Sequence, residues 1–111
     1  MRGAGQEGEA DDAVFKALAS PVRRAMLDAL KEGPHRTGDL CSRFDQLDRC
    51  TVMQHLRVLE EAGLVVAQRR GRERWNHLDA LPIKRIHDRW IGQYAEHAAT
   101  FLKRLDEATR G

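Results

Sequence analysis

Between Thr37 and Leu78 the sequence predicts two short helices joined by a tight turn and followed by a two-stranded hairpin. Thr37 suits the N-cap of the first of these helices, which runs to about Phe44. Asp48 suits the N-cap of the second, and Gly63 ends it because glycine adopts the left-handed backbone that closes a helix. The two helices are therefore expected to lie close together.

The hairpin is predicted from two strand-length segments, 64–70 and 73–78, that flank Gly71-Arg72. A Gly-X pair suits the tight loop that joins two antiparallel strands. Helix, short turn, helix and hairpin in this order form a winged helix-turn-helix, in which the second helix enters the major groove of DNA. The topology therefore predicts that the protein binds duplex DNA.

Two helices precede this segment and one follows it, which makes a mainly α fold with five helices and a two-stranded β-wing. The first helix is predicted from Asp11 or Asp12, which suit an N-terminal turn. The second begins at Ser20-Pro21 and runs to about Glu32. Serine can cap free amides there, and proline occupies a position that needs no hydrogen-bond donor.

The chain of 111 residues has room for one domain with a workable core. Residues 1–10 are Gly-rich, acidic and aperiodic, which predicts a disordered acidic tail before a single domain at 11–111. No apolar run approaches the roughly 18 residues of a membrane span, and the N-terminus lacks the apolar core of a signal peptide. We therefore expect a cytoplasmic protein with reduced thiols, since its two cysteines form no CxxC motif.

Three segments carry a resemblance to one bacterial family: LASPVRRAMLDAL at 18–30, TVMQHLRVLEEAGLV at 51–65 and RRGRERW at 69–75. They are similar to the arsenical-repressor (ArsR) family of winged-helix repressors, over about residues 13–105. A motif of this length is far more specific than an isolated tripeptide. The resemblance implies a homodimer joined by its first and last helices, a near-palindromic operator read by two recognition helices, and repression by blocking access to a promoter.

The last helix is predicted from Pro82 to about Ala108, with apolar residues near 3.5-residue spacing. The small body of the protein can cover only part of this wide apolar face, and a symmetric second copy is the simplest way to bury the rest. The alternative is that these side chains belong to the core of a single chain. The expected dimer contacts are Phe15, Ile86, Trp90, Tyr94, His97, Phe101 and Leu105.

The recognition helix turns its apolar stripe inward and leaves its other side available to DNA. Gln54 can make a two-point contact with adenine, and Arg49 can pair with guanine or hold a phosphate. Cys50 and Met53 depart from the small hydroxyl residues of many relatives, which leaves the operator sequence open. The alternative for each residue is a solvated surface side chain. The DNA contacts expected on or near this helix are Thr37, Arg49, Cys50, Thr51, Met53, Gln54, His55 and Arg57.

Four arginines crowd the tip of the hairpin, at Arg69, Arg70, Arg72 and Arg74, and only Glu73 interrupts their positive charge. Guanidinium groups at a wing tip can lie along phosphates or enter a minor groove. The alternative is an ordinary charged hairpin that keeps an exposed sheet edge soluble. We favour DNA binding by all four arginines, because such a cluster suits a polyanion.

Metal sensing, common in this family, finds little support in the residues. Cys41 matches the first thiol of the family's heavy-metal motif, but Arg43 stands where the second thiol belongs. The candidate ligands on the last helix do not fit the spacing of zinc-sensing relatives; they are His87, Asp88, Glu96 and His97. We therefore expect no metal and no cofactor, and keep a metal- or thiol-responsive repressor as the alternative.

Catalysis is not expected, because the sequence has neither a Gly-rich phosphate loop nor a GxSxG motif, and no supported set of Cys, His and acid. A second alternative is a winged-helix module that binds other proteins and not DNA. The wing arginines favour DNA over this alternative. The sequence leaves the operator, the regulated genes and any small-molecule inducer open.

Overall fold

A computed structural model of the chain describes residues 3–110. Its first four helices are α1 Gly3–Leu18, α2 Pro21–Lys31, α3 Thr37–Arg43 and α4 Arg49–Glu61. Its strands are β1 His35–Arg36, β2 Val65–Arg70 and β3 Glu73–Leu78. It ends with α5 Leu81–Ile86, a π-helical turn at His87–Ile91 and α6 Gly92–Arg110, which run on from one another and are together called the C-terminal helix. This order confirms the predicted winged helix-turn-helix.

The predicted helix starts of α2 and α4 are confirmed by their hydrogen bonds. The Ser20 side chain accepts a hydrogen bond from the Arg23 amide at 3.3 Å, and Pro21 occupies the first turn of α2. The Asp48 carboxylate accepts one from the Thr51 amide at 2.7 Å, which lowers the pKa of that carboxyl. Gly63 has a φ of 77° after α4, the left-handed backbone that only glycine adopts freely. These caps fix where the recognition helix begins and ends.

The first helix starts earlier than predicted, at Gly3 rather than at Asp11 or Asp12. Glu9 and Ala10 are good helix formers, and they extend the helix beyond the acidic pair at little cost. Asp11 lies well inside α1 and forms an ion pair with Arg89 in the π-helical turn. The division into a tail at 1–10 and a domain at 11–111 stays a prediction.

The sheet has three antiparallel strands in the order β1-β3-β2. β2 and β3 form the predicted hairpin, here called the wing, and Gly71 provides its turn with a φ of 63°. The third strand was not predicted, because β1 is two residues long and shows no alternation in sequence. β1 pairs His35 with Asn76 and thereby attaches the wing to the start of α3.

The apolar core lies between the first four helices, the base of the wing and α5. The inward stripe predicted for α4 is confirmed, since Val52, Leu56 and Leu59 are fully buried. Burial of these three side chains sets the rotation of α4 about its own axis. The opposite side of the recognition helix is therefore held outward.

The C-terminal helix differs from the prediction by the π-helical turn at its centre. In that turn a Cβ added to Gly92 would lie 2.9 Å from the His87 carbonyl oxygen, so the close approach of the backbone requires glycine. α6 beyond the turn lies almost wholly at the surface. Within residues 3–110, no helix combines the length and apolar character needed to cross a bilayer.

Candidate nucleic-acid interface

The outer side of α4 carries most of the predicted base contacts. Arg49, Cys50, Gln54 and Arg57 are all exposed on this side. A duplex that approached this side would meet four polar or polarisable side chains without disturbing the core.

Thr51 and Met53 lie at the margins of the outer side and are half-buried. The Thr51 amide is bound to Asp48, and the Met53 side chain packs against the core cluster. Contact of either residue with DNA stays a prediction.

His55 is half-buried and faces Arg23 of α2, whose Nη1 lies 3.2 Å from the His55 Nδ1. The same guanidinium donates from Nε to the Ala17 carbonyl and from Nη2 to the Lys16 carbonyl, both at 2.8 Å and both in α1. Partial burial, and secondly the positive charge of Arg23, lower the pKa of His55. His55 therefore belongs to a contact between α4 and the end of α1.

Three of the four wing arginines are exposed at the tip, as predicted: Arg69, Arg70 and Arg72. Arg74 is different, because it turns back along β3 and its Nη2 lies 2.5 Å from the Glu60 carboxylate in α4. The Nη2 group does not point its N–H at that carboxylate in the geometry of a hydrogen bond, so the contact is an ion pair. Contact of Arg74 with DNA stays a prediction, and within the protein its guanidinium is engaged by Glu60.

Thr37 is also drawn inward and is 5% exposed. Its hydroxyl accepts a hydrogen bond from the Asn76 side chain at 3.1 Å, and Arg36 rather than Thr37 is the N-cap of α3. Thr37 is therefore not the N-cap of α3, and its contact with DNA stays a prediction that its burial does not support. Asn76 is fully buried and was not among the predicted site residues. It donates a hydrogen bond to the hydroxyl that was expected to face DNA.

Arg36 is a second residue of the site that sequence reasoning missed. It donates to both Asp39 oxygens at 3.0 Å and to Glu73 at 2.6 Å, which joins α3 to the wing tip and lowers the pKa of Asp39. The Trp75 ring lies between two guanidinium groups, with Arg36 at 5.8 Å and Arg70 at 5.9 Å from its centroid. Glu73 and Trp75 are distant from Arg36 in sequence, so no local pattern reveals that Arg36 contacts the wing.

A cleft of about 560 Å³ separates the wing from α3 and the start of α4. It is bordered by Arg36, Thr37, Gly38, Asp39, Ser42, Arg49, Met53, Arg69, Arg72, Glu73 and Arg74. Among the side chains that the structure describes, those of residues 8–110, no carboxylate forms an ion pair with Arg49, Arg69 or Arg72. The cleft therefore presents three positive charges that a polyanion can neutralise.

The residues predicted for a dimer fall into two groups. Ile86 is 2% exposed and belongs to the core of the single chain, so its role as an interface residue stays a prediction that its burial does not support. Trp90, Tyr94 and Phe101 are 52%, 58% and 60% exposed. Phe15, His97 and Leu105 are exposed with them. Edge-to-face contacts join Phe15 to Trp90 and Trp90 to Tyr94, with ring centroids 6.0 Å and 5.1 Å apart.

Within the described part of the chain, no three His, Cys, Asp or Glu side chains come together in a way that could hold a metal ion. Cys41 is half-buried and Cys50 is exposed on α4, and both are free thiols. The histidine and acid of the C-terminal helix instead form a local contact, with the His87 Nδ1 3.5 Å from Asp88. Asp88 also accepts a hydrogen bond from Lys84 at 2.6 Å, which is the main reason why its pKa is lowered.

Sequence comparison finds relatives among bacterial regulators. A family described as a helix-turn-helix domain matches residues 18–68. The HTH-type transcriptional regulator YuzN of Bacillus subtilis (strain 168) is 37% identical over 86 residues, or 72% of this chain and 94% of that protein. The transcriptional repressor SdpR of the same organism is 36% identical over 58 residues, or 52% of this chain and 63% of its own length. The match with SdpR thus covers less than two thirds of that repressor.

Solved structures give the same result for the fold. A crystal structure of an ArsR family transcriptional regulator superposes with a TM-score of 0.72 at 29% identity, over 83% of this chain and 93% of that chain. An ArsR-like transcriptional regulator from Rhodococcus sp. RHA1 superposes with a TM-score of 0.70 at 22% identity, over 90% of this chain and 93% of that chain. The second likeness concerns the fold alone.

Proposed function

Because the chain belongs to the ArsR family of winged helix-turn-helix transcriptional regulators, we propose that it is a homodimeric repressor of a near-palindromic operator. In this proposal α4 enters the major groove and the wing follows the sugar-phosphate backbone. Bound to a promoter, the dimer prevents transcription by occupying the DNA. The protein itself carries out no chemical reaction.

The observation that supports the proposal best is the position of three unpaired arginines around one cleft. Arg49 lies at the start of α4, whereas Arg69 and Arg72 lie on the wing across the cleft. Other arginines of this region are matched by acids within the protein, as Arg36 and Arg74 are. Unmatched positive charge beside the outer side of a recognition helix is what a duplex requires.

Residues on the two sides of the cleft are assigned different tasks. Gln54 presents an amide that can bind adenine at two points, and it is the main reading residue of α4 in this proposal. Arg72 at the wing tip holds a phosphate, which contributes affinity without information about sequence. Arg49, Cys50, Thr51, Met53, His55 and Arg57 stay in the proposal as further contacts of α4 with bases or phosphates.

A second copy of the chain completes the proposed repressor. The exposed aromatic side chains of the C-terminal helix, with Phe15 of α1, give each protomer an apolar surface that a symmetric partner would cover. Two recognition helices related by a twofold axis would then meet half-sites about one helical turn apart. An inducer, metal or thiol reagent that releases the DNA is not part of the proposal.

The proposal is tested by selecting fragments of the source genome on the purified protein and sequencing those retained. We expect an enriched site with two inverted half-sites about one helical turn apart. On that site, Gln54→Ala should cost about 1 to 3 kcal/mol and relax the preference at one base pair of each half-site. Arg72→Ala should weaken selected and random duplexes alike and lower the salt slope by about one.

Fluorescence anisotropy titrations of both variants at several salt concentrations distinguish reading from positioning. Retention of DNA without any enriched sequence would contradict a specific operator. An equal loss of affinity for Gln54→Ala on both duplexes would show that α4 is not the reading element. Release of the selected site by zinc, cadmium or arsenite at stoichiometric amounts would support the metal-responsive alternative instead.

A further inference from the structure

Four polar side chains form a connected chain from α4 through the wing to α3, and we call them the polar brace: Glu60, Arg74, Asn76 and Thr37. The Glu60 carboxylate lies 2.5 Å from Arg74 Nη2. Arg74 Nε donates to the side-chain oxygen Oδ1 of Asn76 at 3.3 Å, and the amide nitrogen Nδ2 of the same side chain donates to the Thr37 hydroxyl at 3.1 Å. The same amide nitrogen donates to the His35 carbonyl at 3.1 Å.

The polar brace is buried at its Asn76 and Thr37 end and partly exposed at its Arg74 and Glu60 end. Asn76 is fully buried and Thr37 nearly so, while the side chains of Arg74 and Glu60 are 26% and 32% exposed. The hydrogen bonds of Asn76 accept few other arrangements, because losing one of them would leave a buried polar group unpaired, whereas Arg74 Nη2 is held by its charge and not by an aligned hydrogen bond. The brace therefore restricts the angle between the elements that it joins.

Arg74 is placed where a fixed angle matters for DNA. In the hairpin register it pairs directly with Arg69, and Arg72 lies two residues away at the turn. Holding Arg74 against the last turn of α4 therefore holds the tip of the wing at a set distance from the recognition helix. Because α4 must enter the groove while the wing contacts the backbone of the same duplex, this distance must be correct before the DNA binds.

We propose that the ion pair between Arg74 and Glu60 positions the wing relative to α4, so that both meet one duplex at the same time. Arg74 is then a positioning residue and not a phosphate contact. The inference rests on the proposed function as a DNA-binding repressor. It adds a residue pair on which affinity depends although neither member touches the DNA.

The charge of Glu60 gives the inference a sharp test. Glu60→Gln removes a negative charge near the proposed DNA surface, and electrostatics alone would raise the affinity for any duplex. If Glu60 holds the wing in place, the same substitution lowers affinity, because Arg74 loses its partner and the wing tip is released. The two explanations therefore predict changes of opposite sign.

The experiment measures binding of the full chain to a random duplex of about 30 base pairs and to a selected site of the same length. Glu60→Gln should weaken both by about fivefold, a change typical of two residues in direct contact. Glu61→Gln is the matched control, because Glu61 is the exposed neighbour on α4 and loses the same charge. It should bind as tightly as the wild type or more tightly.

Hydrogen exchange without DNA gives a readout that does not depend on the proposed function. Amides at the tip of the wing should exchange about tenfold faster in Glu60→Gln than in the wild type, with Glu61→Gln unchanged. The reversed pair, Glu60→Arg with Arg74→Glu, should restore both slow exchange and affinity. All variants are compared at a temperature at which circular dichroism shows them to be folded.

The outcomes separate the two claims. Glu60→Gln binding as tightly as Glu61→Gln overturns the inference, whether or not its wing exchanges faster. A wild-type chain that binds neither duplex overturns the proposed function. If the wing-tip amides of Glu60→Gln exchange at the wild-type rate, the polar brace does not hold the wing, whatever the DNA binding. Should Glu60→Gln fail to fold, Arg74→Lys takes its place with the same expected losses, since it keeps the charge but shortens the reach.

Discussion

One side of the His55 imidazole is engaged within the protein, because its Nδ1 faces Arg23 of α2. Arg23 has only donors to offer, so the Nδ1 that faces it must accept, and the neutral imidazole carries its proton on Nε2. That tautomer leaves an N–H donor directed away from Arg23. Since Arg23 also binds two carbonyls of α1, the imidazole links the reading element to the helix that is proposed to join the dimer.

The lowered pKa of His55 predicts a pH dependence of stability. The ordinary pKa of histidine is 6.5, and the pKa of His55 in the folded chain lies below it. At a pH between these two pKa values, the unfolded chain binds more protons than the folded chain. The free energy of unfolding should therefore be greatest above the ordinary pKa of 6.5 and fall as the pH drops below it. His55→Gln should remove part of this slope. Urea titrations at several pH values measure it, and an unchanged slope in the variant would contradict the assignment.

Single residues of the site could be predicted where local spacing decides their direction. The outer side of α4 follows from the step of about 100° per residue once the apolar stripe is known. Thr37 and Arg74 could not be placed in this way, because their directions depend on partners in other elements. The contact between Thr37 and Asn76 spans 39 positions of the chain.

At the scale of elements, helices and hairpin were predictable because caps and periodicity act within a few residues. β1 was not, since two residues carry no period and the strand exists only by pairing with β3. The π-helical turn was also missed, because the apolar pattern of the C-terminal helix is compatible with a continuous α-helix. A close approach of the backbone at Gly92 is what distinguishes it.

Two glycine substitutions test the π-helical turn. Gly92→Ala should destabilise the protein by about 1 to 3 kcal/mol, since its Cβ would press on a backbone oxygen that has no room to move. Gly38→Ala is the control, because Gly38 lies in α3 with open space around it and should gain about 0.5 to 1 kcal/mol from better helix propensity. Urea unfolding at equal protein concentration compares them. Stabilisation by both substitutions would show that the turn tolerates a side chain.

For the whole molecule, the question is what covers the C-terminal helix. The fold of one protomer could be inferred from the sequence, but the division of the apolar side chains between core and surface could not. Ile86 and Trp90 are four residues apart on the same helix, and only the first is buried. The packing of α5 against the rest of the chain determines which of these side chains is buried, and the spacing of apolar residues in the sequence does not reveal that packing.

The dimer is tested by replacing exposed aromatic side chains. Trp90→Ala with Tyr94→Ala should weaken self-association by at least tenfold, because large aromatic side chains contribute most of the binding energy in such surfaces. Gln93→Ala is the control, since Gln93 lies exposed on the same turn of α6. Light scattering at micromolar concentration should give a dimer for the wild type and for the control. A monomeric wild type would contradict the proposed assembly.

The π-helical turn also sets the phase of α6 relative to α5. A bond from residue i to i+5 adds one residue to a turn, which rotates everything beyond it by about 100° compared with a continuous α-helix. With that rotation, Tyr94, Phe101 and Leu105 come within about 40° of the direction of Ile86. The apolar side chains of the C-terminal helix thus lie along one line on its surface, and the first part of that line packs against the core of the same chain. A partner that covered the remainder would sit alongside the body of that chain rather than behind it, so a single extra residue would determine on which flank a second copy of the chain lies.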